Sequence, residues 1–242
     1  MVLESVLALA EEDFGIRTPK MPTMLAKGQQ KAKKAILTLD QVKVLIAAAQ
    51  ADKERGIYYA WPFLTGTRVS EQLAMGWQDI DFERGLITIR RTLEKDGSIV
   101  EITKTKAGMR EVPMSMPLRK MLLEWRILCP RNSDNELDLV FPAPGKVQAW
   151  PLPRLGGGGV LWYQNYRKRV WRPSIKRLGL PYVTPHSARH LFISTMQAQG
   201  IEVGLVAKIV GHANASITLS HYTQAVRGGE EAIKALDRAL SF

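Results

Sequence analysis

The chain has 242 residues, and its 34 Lys and Arg against 23 Asp and Glu leave a formal net charge of +11. At 45 % hydrophobic and 24 % charged it has material for a buried core and too much apolar content for a disordered chain. The single cysteine, Cys129, excludes an internal disulfide and a multi-cysteine zinc site, and it fits a reducing, cytoplasmic setting best. No apolar run approaches the ~18 residues of a membrane span, and Glu4 falls where a signal peptide needs a basic start and an unbroken apolar segment. The expectation is a soluble, basic protein without a membrane partner.

In chain order, Val2, Leu3, Val6, Leu7 and Ala10 fall at helical spacing, and residues 17–34 then read as a Pro-, Gly- and Lys-containing linker. Residues 1–35 are therefore expected to be a remnant helix and basic linker, and 36–242 the main domain. Thr38 and Gln41, three apart before Val42, Leu45, Ile46 and Ala49, form a capping signature that opens a helix. A second helix is expected over 57–64, and a third after Thr65-Gly66-Thr67, with Arg68 projecting from its first turns. Residues 86–91, 99–103 and 111–114 read as strands of a three-stranded antiparallel meander, with turns at Asp96-Gly97 and Lys106-Ala107-Gly108. Helices follow over 117–128, 161–178, 187–198, 202–210, 214–222 and 230–240, with one short apolar strand candidate at 139–141. The fold class is α+β, mostly helical. The glycines of 156–159 lack a following Gly-Lys-Ser/Thr and read as a loop, not a phosphate cradle.

Charge is concentrated. From Leu139 to Ile201 there is no Asp or Glu, while Lys146, Arg154, Arg167, Lys168, Arg169, Arg172, Lys176, Arg177 and Arg189 are all basic. Such a stretch suits a polyanion, because every phosphate neutralised by Lys or Arg releases counterions; a solvated basic face is the bland alternative. Arg167, Lys168, Arg169, Arg172, Lys176 and Arg177 are the candidate DNA contacts.

Four segments carry chemistry. Arg68 and Glu71 share a helix face after the Gly66 turn, an arrangement that is commonly a surface ion pair. His186, Arg189 and His190 share one side of a helix that begins at Thr184-Pro185; two histidines four apart invite a metal, but no carboxylate lies near to complete a site. Gly211-His212 is a turn between helices, which by itself reads as a C-cap. His221-Tyr222-Thr223 ends the following helix, where a lone Tyr is commonly a packing residue.

Taken in order, Thr65–Leu73, Lys104–Pro113, His186–His190, Leu205–Ser216 and Leu219–Thr223 resemble the catalytic domain of the tyrosine recombinase (phage integrase) family over residues 36–242. Ser187-Ala188 departs from the commoner Asp-Leu, and His221 stands where Arg is frequent; neither change removes a catalytic group. The resemblance implies the tyrosine recombinase catalytic-domain fold and a site-specific recombinase that breaks and rejoins DNA through a 3′-phosphotyrosyl link. It also implies no metal and no cofactor, since one phosphoester is exchanged for another. Arg68 and Arg189 would clamp the non-bridging oxygens of the phosphate, and Tyr222 would be the nucleophile with His186 as its base. Lys104, preferred to Lys106, would protonate the leaving 5′-oxygen; His212 would bond a phosphate oxygen, and Glu71 and His190 would orient these groups. Expected partners are double-stranded DNA and accessory DNA-bending or directionality proteins, with four protomers on paired sites and a monomer alone.

Three rival readings fit the sequence less well. A two-metal nuclease needs clustered carboxylates, absent around His186 and Arg189. A binding-only DNA protein leaves the Arg, Lys, His, Arg, His, Tyr order unexplained. A type IB topoisomerase-like enzyme would relax supercoils without paired sites. The resemblance further implies that the C-terminal helix, after Gly228-Gly229, docks on a neighbouring protomer, and that residues 1–35 are the remainder of a DNA-clasping domain.

Overall fold

A computed structural model describes residues 11–15, 35–102, 109–130, 137–145 and 157–212. Outside these lie the expected linker, the segment with Lys104 and Lys106, the helices expected over 214–222 and 230–240, and with them His221 and Tyr222. The chain divides into two compact units, Met1–Lys34 and Ala35–Phe242. In the first, residues 11–14 are helical.

The second unit begins as the capping signature requires. Thr38 Oγ1 accepts from Gln41 N at 3.3 Å, and Gln41 Oε1 accepts from Thr38 N at 2.9 Å. These bonds satisfy donors left open at the start of helix α1, Leu39–Ala51. Helix α2, Gly56–Thr65, crosses α1 so closely that a Cβ at Gly56 would lie 1.8 Å from the carbonyl oxygen of Ala49. Helix α3 is the short Val69–Leu73, and Arg68 occupies its N-cap instead of its first turn.

The sheet departs from the expected meander. Strands β1 (Ile80–Asp81), β2 (Leu86–Ile89) and β5 (Arg110–Pro113) form a three-stranded antiparallel sheet in the order β1-β2-β5. Strands β3 (Arg91–Leu93) and β4 (Ile99–Glu101) pair separately as a hairpin. The run from Leu86 to Leu93 is long enough to receive both returning segments. Ile99–Glu101 pairs with its far half, Ile102 N donates to Arg90 O at 2.8 Å, and Arg110–Pro113 pairs with its near half. The third segment therefore lies beside the first, not the second. Strand β1 has only two residues, too few to show alternation, and was not anticipated.

Helix α4, Met116–Leu128, follows the sheet. Residues 139–141 make an isolated bridge, Leu139 to Gly76, in place of a full strand. The expected helix over 161–178 is a continuous helical run from Tyr163 to Arg177, in which Tyr166–Trp171 has π-type bonding. Helices α5 (Pro185–Ala198) and α6 (Val203–Val210) complete the described residues.

The core is aromatic. Trp61 and Tyr58 meet Phe141 edge-on at 4.9 and 5.3 Å, and Phe63 stacks on Trp171 at 5.9 Å. Trp125 Nε1 donates to Val140 O, Trp171 Nε1 to Val183 O, and Tyr58 Oη to Pro142 O, each at 2.7 Å. This core holds the end of α2 and the start of α5 in place, and the two segments present the candidate site.

Candidate active site

The site is built around the turn that ends α2. Gly66 has φ +64°, a left-handed conformation that glycine adopts without strain, and its N–H closes the helix on Pro62 O at 3.1 Å. Thr65 Oγ1 and Thr67 Oγ1 lie 3.0 Å apart in the core, and Trp61 Nε1 donates to Thr67 Oγ1 at 2.7 Å. The turn is thus rigid on its buried side, and Arg68 leaves it towards the surface.

Arg68 and Glu71 are more than a surface pair. Glu71 Oε2 accepts from Arg68 N at 2.8 Å, and Glu71 Oε1 from Arg68 Nη1 at 2.8 Å. A second guanidinium, Arg110 on β5, reaches the same carboxylate, with Nη2 to Oε2 at 2.7 Å and Nη1 to Oε1 at 3.2 Å. The side chains of Glu71 and Arg110 are each 3 % exposed, whereas that of Arg68 is 47 % exposed. Burial alone would raise the Glu71 pKa, but the hydrogen bonds and charge of Arg110, with those of Arg68, hold it below the ordinary carboxylate value.

Arg189 enters from α5. Its Nη1 donates to Gly66 O at 2.8 Å, and its Nη2 is buried without a hydrogen-bond partner among the described residues. Burial first, then the like charge of Arg68, outweigh the pull of Glu71 and bring its pKa down to about 9, with Arg110 adding in the same direction. At neutral pH the group remains a cation with an unmet donor, which an anion would satisfy. His186 and His190, one turn apart on α5, meet edge-on with ring centroids 4.4 Å apart.

Arg68, Arg189 and His186 line one open cleft of about 360 Å³, walled on the far side by Glu94, Lys95 and Tyr163. Lys95 sits in the β3–β4 turn, where the close approach of Gly97 to Trp162 would put a Cβ 2.6 Å from the indole. His212 lies elsewhere, in a groove with Arg110, Leu205 and Gly211. Two bonds join the regions: Arg68 Nη2 to Gly211 O at 3.2 Å and Arg110 Nε to Ile209 O at 2.7 Å. The structure thus brings Arg68, Glu71, His186, Arg189 and His190 together and links His212 to them through backbone carbonyls. Lys104 and Tyr222 are outside the described residues.

Of the candidate DNA contacts, Lys168, Arg169, Arg172, Lys176 and Arg177 are exposed and Arg167 is half-buried. Arg167 and Arg172 converge on Tyr182, one by a 3.4 Å bond to its hydroxyl and the other over its ring. Arg177 is bound to Asp52 at 2.6 Å. Among the described residues no three His, Cys, Asp or Glu side chains gather as a metal site requires, and no helix is long and apolar enough to cross a membrane.

Sequence reasoning missed Lys95 and Arg110. Lys95 carried no signal beyond its place next to a turn. Arg110 carried one: it shares strand parity with Val112, so an inward-facing Val implies an inward-facing Arg.

A model of the phage integrase family matches residues 35–227. The transposase from transposon Tn916 of Enterococcus faecalis is 30 % identical over 211 residues, a match that covers 79 % of this chain and 48 % of that protein. The chain therefore spans about half the length of this curated relative. The tyrosine recombinase XerA of Pyrococcus furiosus is 28 % identical over 228 residues, covering 93 % of this chain and 67 % of that one. Among solved structures, the Tn1549 transposon integrase in complex with a circular intermediate DNA superposes with a TM-score of 0.74 at 21 % identity. That match covers 99 % of this chain and 77 % of the integrase chain, and it shows a shared fold.

Proposed function

Since the chain belongs to the phage integrase family, we propose that it is a site-specific DNA recombinase that cleaves and rejoins strands through a 3′-phosphotyrosyl intermediate. The observation that carries this reading is the buried Arg189, with an unmet Nη2 donor beside Arg68 in an open cleft. Arg68, Arg189 and Lys95 line the cleft against Glu94, while Glu71 is already shared with Arg110, so positive charge is in excess there and a phosphodiester balances it. Charge that grows on the non-bridging oxygens during attack is met by donors already in place, so the transition state gains more than the ground state.

Tyr222 is the nucleophile in this reading. Its phenol, with a reference pKa of about 10, is protonated near neutrality and needs a base; exposed His186 in the cleft serves. Lys104 delivers the proton to the 5′-oxygen, and His212 bonds a phosphate oxygen. Glu71 holds Arg68, and His190 holds His186. The bond between Tyr222 and the 3′-phosphate keeps the phosphoester energy, so resealing requires no cofactor. DNA strands are the substrate, exchanged by four protomers on paired sites with accessory DNA-bending or directionality proteins.

The test is to recover and sequence DNA bound covalently to the protein in cells, then to repeat with Tyr222→Phe. The expected result is one recurrent sequence with wild type, formed also in excess chelator in vitro, and no adduct with the variant. An adduct formed by Tyr222→Phe refutes the assignment.

A further inference from the structure

Arg110 is buried together with Glu71 behind the cleft and borders the groove that holds His212, and two parts of the candidate site meet on it. Its two terminal nitrogens take both oxygens of Glu71, the carboxylate that holds the Arg68 backbone and side chain. Its Nε takes Ile209 O, a carbonyl of the last turn of α6 that has no acceptor role within the helix, just before Gly211-His212. It is also the first residue of β5, four residues after Lys106 in the chain. Opposite it in the sheet is the fully buried Ile89, so the Arg110 side chain starts from the buried face of the sheet.

We infer that Arg110 is a positioning residue for strand cleavage, setting Arg68 through Glu71 and the Gly211-His212 turn through Ile209 O. This rests on the recombinase reading above. With Arg68 alone, the buried carboxylate would have a single guanidinium partner whose side chain is 47 % exposed. The bidentate fork from a 3 % exposed Arg110 fixes its plane and hence the direction in which Arg68 points. Because Arg68 also donates to Gly211 O, the two arginines lock the His212 turn from both sides. Arg110 itself touches no substrate; its effect on the reaction passes through the groups it holds.

The experiment uses the full chain and a nicked duplex of the sequence recovered as covalent adduct, with either a normal phosphodiester or a methylphosphonate at the cleavage position. A methylphosphonate lacks the charge that Arg68 meets, so a variant whose defect lies in charge placement recovers on it. Arg110→Met should keep wild-type DNA affinity, lose about 10²-fold in single-turnover cleavage of the phosphodiester, the scale of a misplacement of about 1 Å, and recover on the methylphosphonate. Arg110→Lys, which retains the charge but not the fork, should fall between. Slow cleavage of both substrates by Arg110→Met means a role in the fold alone and overturns the inference, as does unchanged cleavage of the phosphodiester. Arg68→Ala is the control: if it cleaves the phosphodiester at the wild-type rate, the recombinase site assignment itself fails and this inference fails with it.

Discussion

Glu71→Gln is the sharpest perturbation of this molecule, because it removes one charge and almost no volume. Glu71 accepts four hydrogen bonds, two from Arg68 at 2.8 Å and two from Arg110 at 2.7 and 3.2 Å. A glutamine keeps one acceptor oxygen and turns an NH₂ towards guanidinium donors. Arg68 is half in water, so little of the cost falls on it. Arg110 is not, and a buried cation that loses its partner costs about 3–5 kcal/mol. At about 2–4 °C per kcal/mol for a domain of this size, the melting temperature at pH 7 should fall by about 6–20 °C. The pH dependence has a fixed sign. The folded-state pKa of Glu71 is depressed, so its contribution is fully present above the ordinary glutamate pKa and is lost as pH falls through the lowered folded value. Wild type and variant should therefore converge on acidification. The assay is calorimetry from pH 7 downward. A variant that melts within about 2 °C of wild type at pH 7, or a gap that widens in acid, would show that the Glu71–Arg110 pair does not bear the stability assigned to it.

Inorganic phosphate should stabilise the wild-type chain through Arg189 Nη2, by about 2.7 kcal/mol, or about 5–11 °C, at a hundredfold excess over its dissociation constant; Arg189→Met should melt at the same temperature with and without phosphate. Lys104→Ala should cleave normal DNA slowly and recover on a duplex with sulfur as the bridging 5′-atom, since a thiolate leaves without a proton; recovery by Lys106→Ala instead would move the role to that lysine. In a salt titration of duplex binding, Lys168→Ala should reduce the slope of log K against log salt by about 0.9, whereas Arg177→Ala should change it less, because Asp52 already neutralises Arg177; equal effects would mean that the pair opens on DNA.

Much of this site could be read from the sequence because its parts obey local rules. A cap needs Thr38 and Gln41 three apart, and a left-handed helix end needs Gly66. A helix with Pro185 in its first turn places His186 beside His190, whatever surrounds it. Each of these is decided within a few residues, and the order of the motifs along the chain is itself sequence information. The expected strands are present, displaced by a residue or two, and the first and second segments pair as expected, but the third pairs with the first instead of the second. Pairing depends on which segment a long strand can accommodate, and the run Leu86–Leu93 accommodated both returning segments.

Tertiary structure alone decided how the charges are distributed among partners. Arg110 and Glu71 are 39 residues apart, Arg189 and Gly66 are 123 apart, and Arg177 and Asp52 are 125 apart. An arginine in a sequence reads as a solvated cation, since burial without a counter-charge is prohibitive. Whether it is buried depends on a carboxylate or carbonyl delivered from a distant segment, and no local pattern encodes that delivery. The six basic residues between Arg167 and Arg177 therefore looked alike in the sequence, and folding paired one with Asp52, turned two onto Tyr182 and left Lys168, Arg169 and Lys176 exposed. By the same physics Arg110, unremarked in the chain, becomes the buried point at which the candidate catalytic segments meet.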